Sequence, residues 1–207
     1  MPEPIVELDE SHIYRVDGDV IPGVSEILKA GGYGNPAETE GGFVISDEVI
    51  DNAADRGHII HEAISLLMAG DLDWETVDDE CLPYMNAFKE WMDATGFYAV
   101  SSEALFFEPE FRYCGTRDLV GYIGDDLTIV DPKTGSAGLK PWHKYQLAAY
   151  AYPMSERGTK WPRRIILHLK KTGSYKTYEF STIKAPWEME VFLACRTIHT
   201  AKLLDRK

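Results

Sequence analysis

Residues Gly115–Gly135, GTRDLVGYIGDDLTIVDPKTG, contain two apolar runs that meet at Gly124-Asp125. Such runs around a tight-turn dipeptide predict two antiparallel strands in a hairpin. Asp118 lies in the first strand and Asp131 ends the second, so the hairpin can bring their carboxylates together across the ladder. Because two close carboxylates repel unless a cation binds them, the pair indicates a divalent metal site. Oxygen ligands of this kind suit Mg²⁺, with Mn²⁺ as a substitute.

Lys133 follows Asp131 by two residues and therefore lies on the same face of the strand. An ammonium there can orient or deprotonate a water, or stabilise charge on a phosphate. We expect a nearby cation and partial desolvation to lower the pKa of Lys133 toward a base role. An Asp-x-Lys triplet alone is no signal, since Asp205-Arg206-Lys207 repeats it in the C-terminal tail. The apolar strand and the upstream acid give this triplet its weight.

The patterns on either side predict a mixed α+β fold, with a central mixed sheet flanked by helices. We predict a single domain over 1–207, with a hairpin and short helix in 1–45 and the main core with its closing helix in 46–207. The predicted elements are a hairpin over 12–21, a helix over 24–30, a loop over 31–42, a helix over 46–69 capped by Ser46, a helix over about 82–95, strands over 98–107, 111–123 and 127–131, a helix over 142–155, a hairpin of 163–169 and 175–180, and a helix over 185–204.

Composition argues against several protein classes. The chain has 44% apolar and 27% charged residues, which is ordinary for a folded protein. It lacks an apolar run long enough to span a bilayer, and its acidic start does not resemble a signal peptide, so we expect a cytoplasmic protein without a membrane partner. Cys81, Cys114 and Cys195 are far apart and form no C-x-x-C, which argues against a disulfide framework or a zinc knuckle.

Charge is divided unevenly along the chain. Residues 1–110 carry 25 acidic and 4 basic side chains, whereas residues 111–207 carry 9 acidic and 17 basic ones. Association responds to the local field, so the second half can face phosphates although the net charge is −13. The alternative, that the acids simply cover exposed helices, stays open.

Basic residues interleaved with aromatic ones follow Lys133 and line the last predicted hairpin. This combination suits single-stranded nucleic acid, through phosphate neutralisation and base stacking. The alternative is that the aromatic rings pack into the core while the lysines are merely solvated. The candidate nucleic-acid contacts are Lys140, Trp142, Lys144, Tyr145, Arg163, Arg164, Lys170 and Lys171.

Four short motifs occur in one order along the chain. They are Gly57-x-x-x-His61, Gly115-x-x-Asp118, Asp131-x-Lys133-Thr134-Gly135 and Gln146-x-x-x-Tyr150. Together they resemble the PD-(D/E)XK nuclease superfamily, and within it the RecB-type exonucleases, phage exonucleases included. The opening segment around Tyr14 and Ile21-Pro22-Gly23-Val24-Ser25 is similar to the start of several phage members, so the resemblance extends from about residue 12 to 155.

The resemblance implies a restriction-endonuclease-like αβββαβ core and a Mg²⁺-dependent deoxyribonuclease, an exonuclease that hydrolyses phosphodiester bonds. It implies that His61, Asp118, Asp131 and the Pro132 carbonyl bind the metal, with Glu103 as an additional acid for a second metal. Lys133 would be the catalytic lysine, and Gln146 and Tyr150 would position the active site. Several relatives hold an iron–sulfur cluster on four cysteines. This chain has three in other places, so we expect no cluster.

The expected partner is DNA, as single strands or duplex ends, in the recombination, repair or processing of phage or bacterial DNA. The expected setting is the cytoplasm of a bacterial or phage-infected cell, and a homo-oligomer or a recombination partner stays open. Two alternative functions also stay open: a nucleic-acid-binding module of the same fold that does not cut, and an acidic protein that mimics DNA.

Overall fold

A computed structural model describes residues 4–34, 47–135, 138–156 and 158–205, with the backbone alone for 47–54. Its helices and strands confirm the mixed α+β class. The elements are β1 (Val6–Leu8), β2 (Tyr14–Val16), β3 (Asp19–Ile21), α1 (Val24–Ala30), α2 (Asp47–Ala69), α3 (Leu82–Thr95), β4 (Tyr98–Glu108), β5 (Tyr113–Ile123), β6 (Asp126–Lys133), α4 (His143–Ala151), β7 (Arg163–Leu169), β8 (Tyr175–Phe180) and α5 (Ala185–Leu204). Among these residues, no helix is long and apolar enough to cross a bilayer.

The main sheet has five strands in the order β4-β5-β6-β7-β8. Neighbouring strands are antiparallel except β6 and β7, which are parallel and are connected through α4. Strands β6 and β7 are buried on both faces because helices cover each side of the sheet. Ile129 and Ile166 pack with α1, α4 and α5, whereas Val130 and Ile165 pack with α2 and α3.

Several element ends differ from the sequence predictions. β5 starts at Tyr113 because the Glu108 carboxylate accepts the backbone N–H groups of Glu110 and Phe111 and holds a turn there. α4 ends at Ala151, and Pro153 lies in the short 3₁₀ turn that follows it. The short strand β1 was not predicted. Ser46 and the part of the predicted loop from residue 35 onward lie outside the described residues.

The pairing of β5 with β6 ends at Leu119 and Val130. Beyond that pair, β5 stays paired with β4 back to Tyr113, while β6 stays paired with β7 as far as Lys133. The sheet therefore opens into a fork between β5 and β6. Asp118 and Asp131 are the first residues past the last pair, one on each side of the fork.

The small sheet β1-β2-β3 packs against β4 and β5, where Val16 and Ile21 cluster with Cys114 and Phe107. Asp17 and Gly18 form the β2–β3 turn with φ of 51° and 88°, the left-handed conformation that a two-residue hairpin turn requires. Farther along, Gly23 bridges to Cys114, and the Cys114 N–H donates to the Pro22 carbonyl at 3.0 Å. The N-terminal segment is thereby fastened to the strand that carries Asp118.

The prediction that Arg164 contacts nucleic acid is wrong. The Arg164 side chain is 0% exposed and donates to Glu188 Oε2 and to the Ser181 carbonyl, both at 2.7 Å. A guanidinium enclosed in this way cannot reach a phosphate. Instead it links the start of β7 to the start of α5. Burial lowers the pKa of Arg164, which Glu188 counteracts.

Glu188→Ala should lower the free energy of unfolding by about 3 kcal/mol or more, because it leaves a buried guanidinium without its carboxylate. Glu190→Ala, an exposed change on the same helix, is the matched control and should stay within about 0.5 kcal/mol of wild type. Urea denaturation of the two variants measures the difference. Equal, small effects would show that the Arg164–Glu188 pair does not stabilise the fold.

Candidate active site

The fork between β5 and β6 gathers the residues predicted to carry chemistry. Asp131 is 1% exposed, and Lys133 Nζ lies 2.6 Å from Asp131 Oδ1. Neither carboxylate oxygen of Asp131 has a partner with ordinary hydrogen-bond geometry among the described residues. A buried carboxylate in this state is costly unless a cation lies beside it, and here that cation is the Lys133 ammonium.

His61 reaches the fork from the middle of α2. Its Nδ1 lies 3.6 Å from Asp118 Oδ2 and 3.7 Å from Glu103 Oε1. One ligand atom from each of these three residues lies within 4.8 Å of the other two, close enough for all three to contact one ion. His61 and Glu103 also border a cavity of about 490 Å³ between α2 and β4, which is lined by Gly57, His58, His61, Glu62, Ser65 and Glu103.

The predicted metal ligands therefore separate into two groups. His61, Asp118 and Glu103 converge, whereas Asp131 is paired with Lys133. The Pro132 carbonyl lies 2.9 Å from His61 Nε2, in hydrogen-bond contact. Glu103 was the least specific of the predicted ligands, yet it stands as close to His61 as Asp118 does.

The backbone at Glu103 explains why its side chain faces His61. Glu103 has a φ of 48°, in the left-handed region that an ordinary side chain rarely adopts. It lies in β4 between the pairs Ser102–Leu119 and Ala104–Arg117, opposite Asp118. Strained residues of this kind cluster at functional sites. Sequence alone carries no signal for this φ angle, which depends on the packing of β4 against β5.

The carboxylates of the fork have divergent pKa values. Burial and the nearby Asp131 raise the pKa of Asp118 well above its usual range. Burial acts in the same direction on Asp131, but the Lys133 ammonium outweighs it, so the pKa of Asp131 is lowered. The site thus pairs a carboxyl that binds a proton readily with a carboxylate that stays ionised.

Lys133 differs from the expected base. Burial favours the neutral amine, but the carboxylates of Asp131 and Asp118 outweigh burial and raise the pKa of Lys133. The side chain is therefore an ammonium at neutral pH. The prediction of a lowered pKa was wrong because it did not include the ion pair with Asp131.

Gln146 and Tyr150 lie on one face of α4, as their spacing predicted. Gln146 Nε2 donates to the Tyr150 hydroxyl at 3.1 Å. Burial raises the pKa of Tyr150, and the charges of Asp118 and Asp131 add to the effect, so the phenol stays protonated near the fork. A Cβ on Gly115 would lie 2.9 Å from the Tyr150 ring and 2.7 Å from Phe106, which explains a glycine at this place in β5.

The predicted nucleic-acid contacts occupy different parts of the surface. Lys170 and Lys171 follow the carboxyl end of β7, which lies beside Lys133 at the carboxyl end of β6 because the two strands are parallel. Arg163 lies at the other end of β7, where the strand begins. It donates to both carboxylate oxygens of Glu179, at 2.8 and 2.9 Å. Tyr145 is buried in the core, as the alternative interpretation held.

The remaining three predicted contacts, Lys140, Trp142 and Lys144, lie at or just before the start of α4. Lys140 and Lys144 are partly buried; Lys140 Nζ stands 5.8 Å from the centre of the Trp142 ring. The Trp142 ring in turn lies 6.0 Å from the His143 ring.

His143 is a site residue that the sequence analysis did not single out. Its Nδ1 accepts the Lys140 N–H at 3.2 Å. Burial lowers the pKa of His143 to about 4, with opposing effects from the charges of Asp131 and Lys133. The ring is therefore neutral at physiological pH, and its place beside those charges follows from the packing of α4 on β6.

No protein-family model and no curated protein matches this chain. Among solved structures, the crystal structure of SSO0001 aligns over 83% of this chain and 83% of its own length, with 13% sequence identity and a TM-score of 0.32. A likeness at this level carries no argument about function.

Asp118→Asn should raise the free energy of unfolding at pH 8 in EDTA, because it removes one of two neighbouring carboxylates whose repulsion opposes folding. The raised pKa of Asp118 means that the folded wild type binds this proton more tightly than the unfolded chain. Wild-type stability should therefore fall as pH rises toward and through that pKa, and the variant should lack this fall. Urea denaturation between pH 5 and 8 measures both slopes, with exposed Asp125→Asn as the control.

Proposed function

We propose that this chain is a metal-dependent nuclease that hydrolyses phosphodiester bonds in DNA, an exonuclease of the RecB type within the PD-(D/E)XK superfamily. The observation that carries the proposal is the convergence of Asp118, Asp131 and Lys133 with His61 at one fork. These residues come from two strands and a helix separated by many positions in sequence. A structural role alone does not account for three carboxylates, a lysine and a histidine collected where two strands part.

The donor set suits a hard divalent cation. Carboxylate and carbonyl oxygens with one imidazole nitrogen are ligands that Mg²⁺ and Mn²⁺ accept. Asp118, Glu103 and His61 would hold the ion, and Asp131 has buried oxygens with no ordinary hydrogen-bond donor among the described residues. When bound, such an ion supplies charge stabilisation at a phosphate and a lowered pKa for its bound water.

The Pro132 carbonyl orients His61 at the fork. The 2.9 Å between His61 Nε2 and this carbonyl oxygen is the distance of a hydrogen bond in which Nε2–H donates. The other ring nitrogen, Nδ1, then faces Asp118 and Glu103, where it would bind the ion. The ligand role of the Pro132 carbonyl itself rests on the resemblance alone.

The remaining residues supply charge and orientation. Lys133, held as an ammonium by Asp131, would stabilise the negative charge that builds on the phosphate oxygens in the transition state. Asp131 would fix the position of that ammonium through Oδ1 and offer its other oxygen, Oδ2, to the ion. Gln146 orients the Tyr150 hydroxyl, whose retained proton makes it a neutral donor toward the acids or a substrate oxygen.

DNA is the proposed substrate because basic residues lie at the same end of the sheet as the acidic site. The Lys140 N–H donates to His143, whose ring feels the charges of Asp131 and Lys133, and Lys170 and Lys171 follow β7 beside the end of β6. These lysines would offset the repulsion between the carboxylates and a phosphate backbone. The exposed acidic residues of the connection between α2 and α3, such as Asp71 and Asp78, lie in a different part of the chain.

Lys133→Ala should reduce cleavage by about 10²-fold or more, because it removes the charge that stabilises the transition state. DNA affinity should stay close to wild type, since it depends on distributed basic residues. Asp131→Ala should abolish both cleavage and metal binding. Lys89→Ala, an exposed change on α3, is the matched control. Turnover and DNA affinity are measured in parallel, and wild-type cleavage by the Lys133 variant would contradict its catalytic role.

A digestion of end-labelled single-stranded and duplex DNA with Mg²⁺, Mn²⁺ or EDTA tests the proposal as a whole. Metal-dependent release of nucleotides from the ends supports an exonuclease, and the product sizes give its direction. Binding without cleavage would identify a nucleic-acid-binding module. If the protein neither bound nor cleaved DNA, the result would favour the acidic interaction protein.

A further inference from the structure

The N-terminal sheet contributes a hydroxyl to the wall of the fork. The Tyr14 hydroxyl, from β2, lies 3.0 Å from Thr116 Oγ1 on β5. Thr116 precedes Asp118 by two residues, so both side chains lie on the same face of β5, about 7 Å apart along the strand. Thr116 and Asp118 are partly exposed, whereas Gly115 and Arg117 beside them are buried.

The Tyr14–Thr116 pair retains one unused proton. Each hydroxyl has one proton to donate, and the hydrogen bond between them uses only one of the two. The second proton has no acceptor among the described residues. Burial raises the pKa of Tyr14, the bond to Thr116 lowers it, and the charges of Asp118 and Glu103 add to the effect of burial. Tyr14 is therefore a neutral donor beside the carboxylates.

Gly23 fixes the position of the Tyr14 ring. A Cβ at Gly23 would lie 2.8 Å from Tyr14 Cε2 and 3.1 Å from Cδ2, so the ring rests directly on the glycine backbone. Gly23 is itself bridged to Cys114, two residues before Thr116. The hydroxyl is thus held by a rigid contact to the same strand that carries its partner.

We propose that the Tyr14–Thr116 hydroxyl pair binds a non-bridging phosphate oxygen of the DNA strand, which makes the N-terminal sheet part of the substrate site. This inference rests on the proposed nuclease function. A neutral donor suits this wall, because an ammonium here would pair with Asp118 or Glu103, whereas a hydroxyl remains free to bind an anion. The N-terminal segment then binds substrate and does not only cover β5.

Tyr14→Phe removes the hydroxyl and keeps the ring, and Thr116→Val removes the second hydroxyl at nearly constant shape. Each should raise KM for a short DNA oligonucleotide about 10-fold, because a hydrogen bond to a charged phosphate is lost, while kcat changes less than about 3-fold. Gly23→Ala should act in the same direction by displacing the ring. Tyr122→Phe, at the far end of β5, is the matched control and should leave both constants at their wild-type values.

Binding to the cleavage-deficient Lys133→Ala protein separates this inference from the proposed function. Adding Tyr14→Phe to it should weaken affinity for the same oligonucleotide about 10-fold. Unchanged KM and affinity with a lower unfolding temperature would overturn the inference and leave a structural role, while the nuclease proposal stands. Loss of affinity in a protein whose wild type never cleaves would support the inference and overturn the catalytic proposal. If neither the wild type nor any variant bound DNA, both the inference and the nuclease proposal would be overturned.

Discussion

The point at which β5 and β6 stop pairing is the constraint on which the site depends. Up to Leu119 and Val130 the two strands share one ladder; beyond it each stays bound to its other neighbour. A fork exposes backbone and side chains that a continuous sheet would cover. It therefore gives two acids from different strands a common space, and it leaves room for a helix to enter from one side.

Close approaches between elements make that space a defined site. His61 crosses from α2 to the Pro132 carbonyl, and the Tyr150 ring packs over Gly115 from α4. The strained backbone of Glu103 turns a third acid toward His61. Each contact comes from a different layer of the fold, so the geometry of the site reports the packing of helices on both faces of the sheet.

The electrostatics of the fork follow from burial combined with pairing. Two desolvated carboxylates repel each other, so Asp118 and Asp131 are not both readily ionised. The Lys133 ammonium keeps Asp131 ionised, and the pKa of Asp118 is raised. The same pairing keeps Lys133 charged. Repulsion between the two carboxylates is thereby reduced, by the proton that Asp118 binds readily and by the Lys133 ammonium beside Asp131.

Local patterns in the sequence predict the order of every element after β1 and most residues of the candidate site. Strand and helix periods are local, so the hairpin at Gly124-Asp125, the helix that carries His61 and the spacing of Gln146 and Tyr150 were all readable. The adjacency of Asp118 and Asp131 followed from the short connection between their strands. Tertiary structure alone decided the rest: Arg164 is buried because α5 brings Glu188 to it, Lys133 stays charged because it is enclosed with Asp131, and Tyr14 meets Thr116 through a contact 102 positions apart. These properties depend on distances between elements and on burial, which local sequence patterns do not encode.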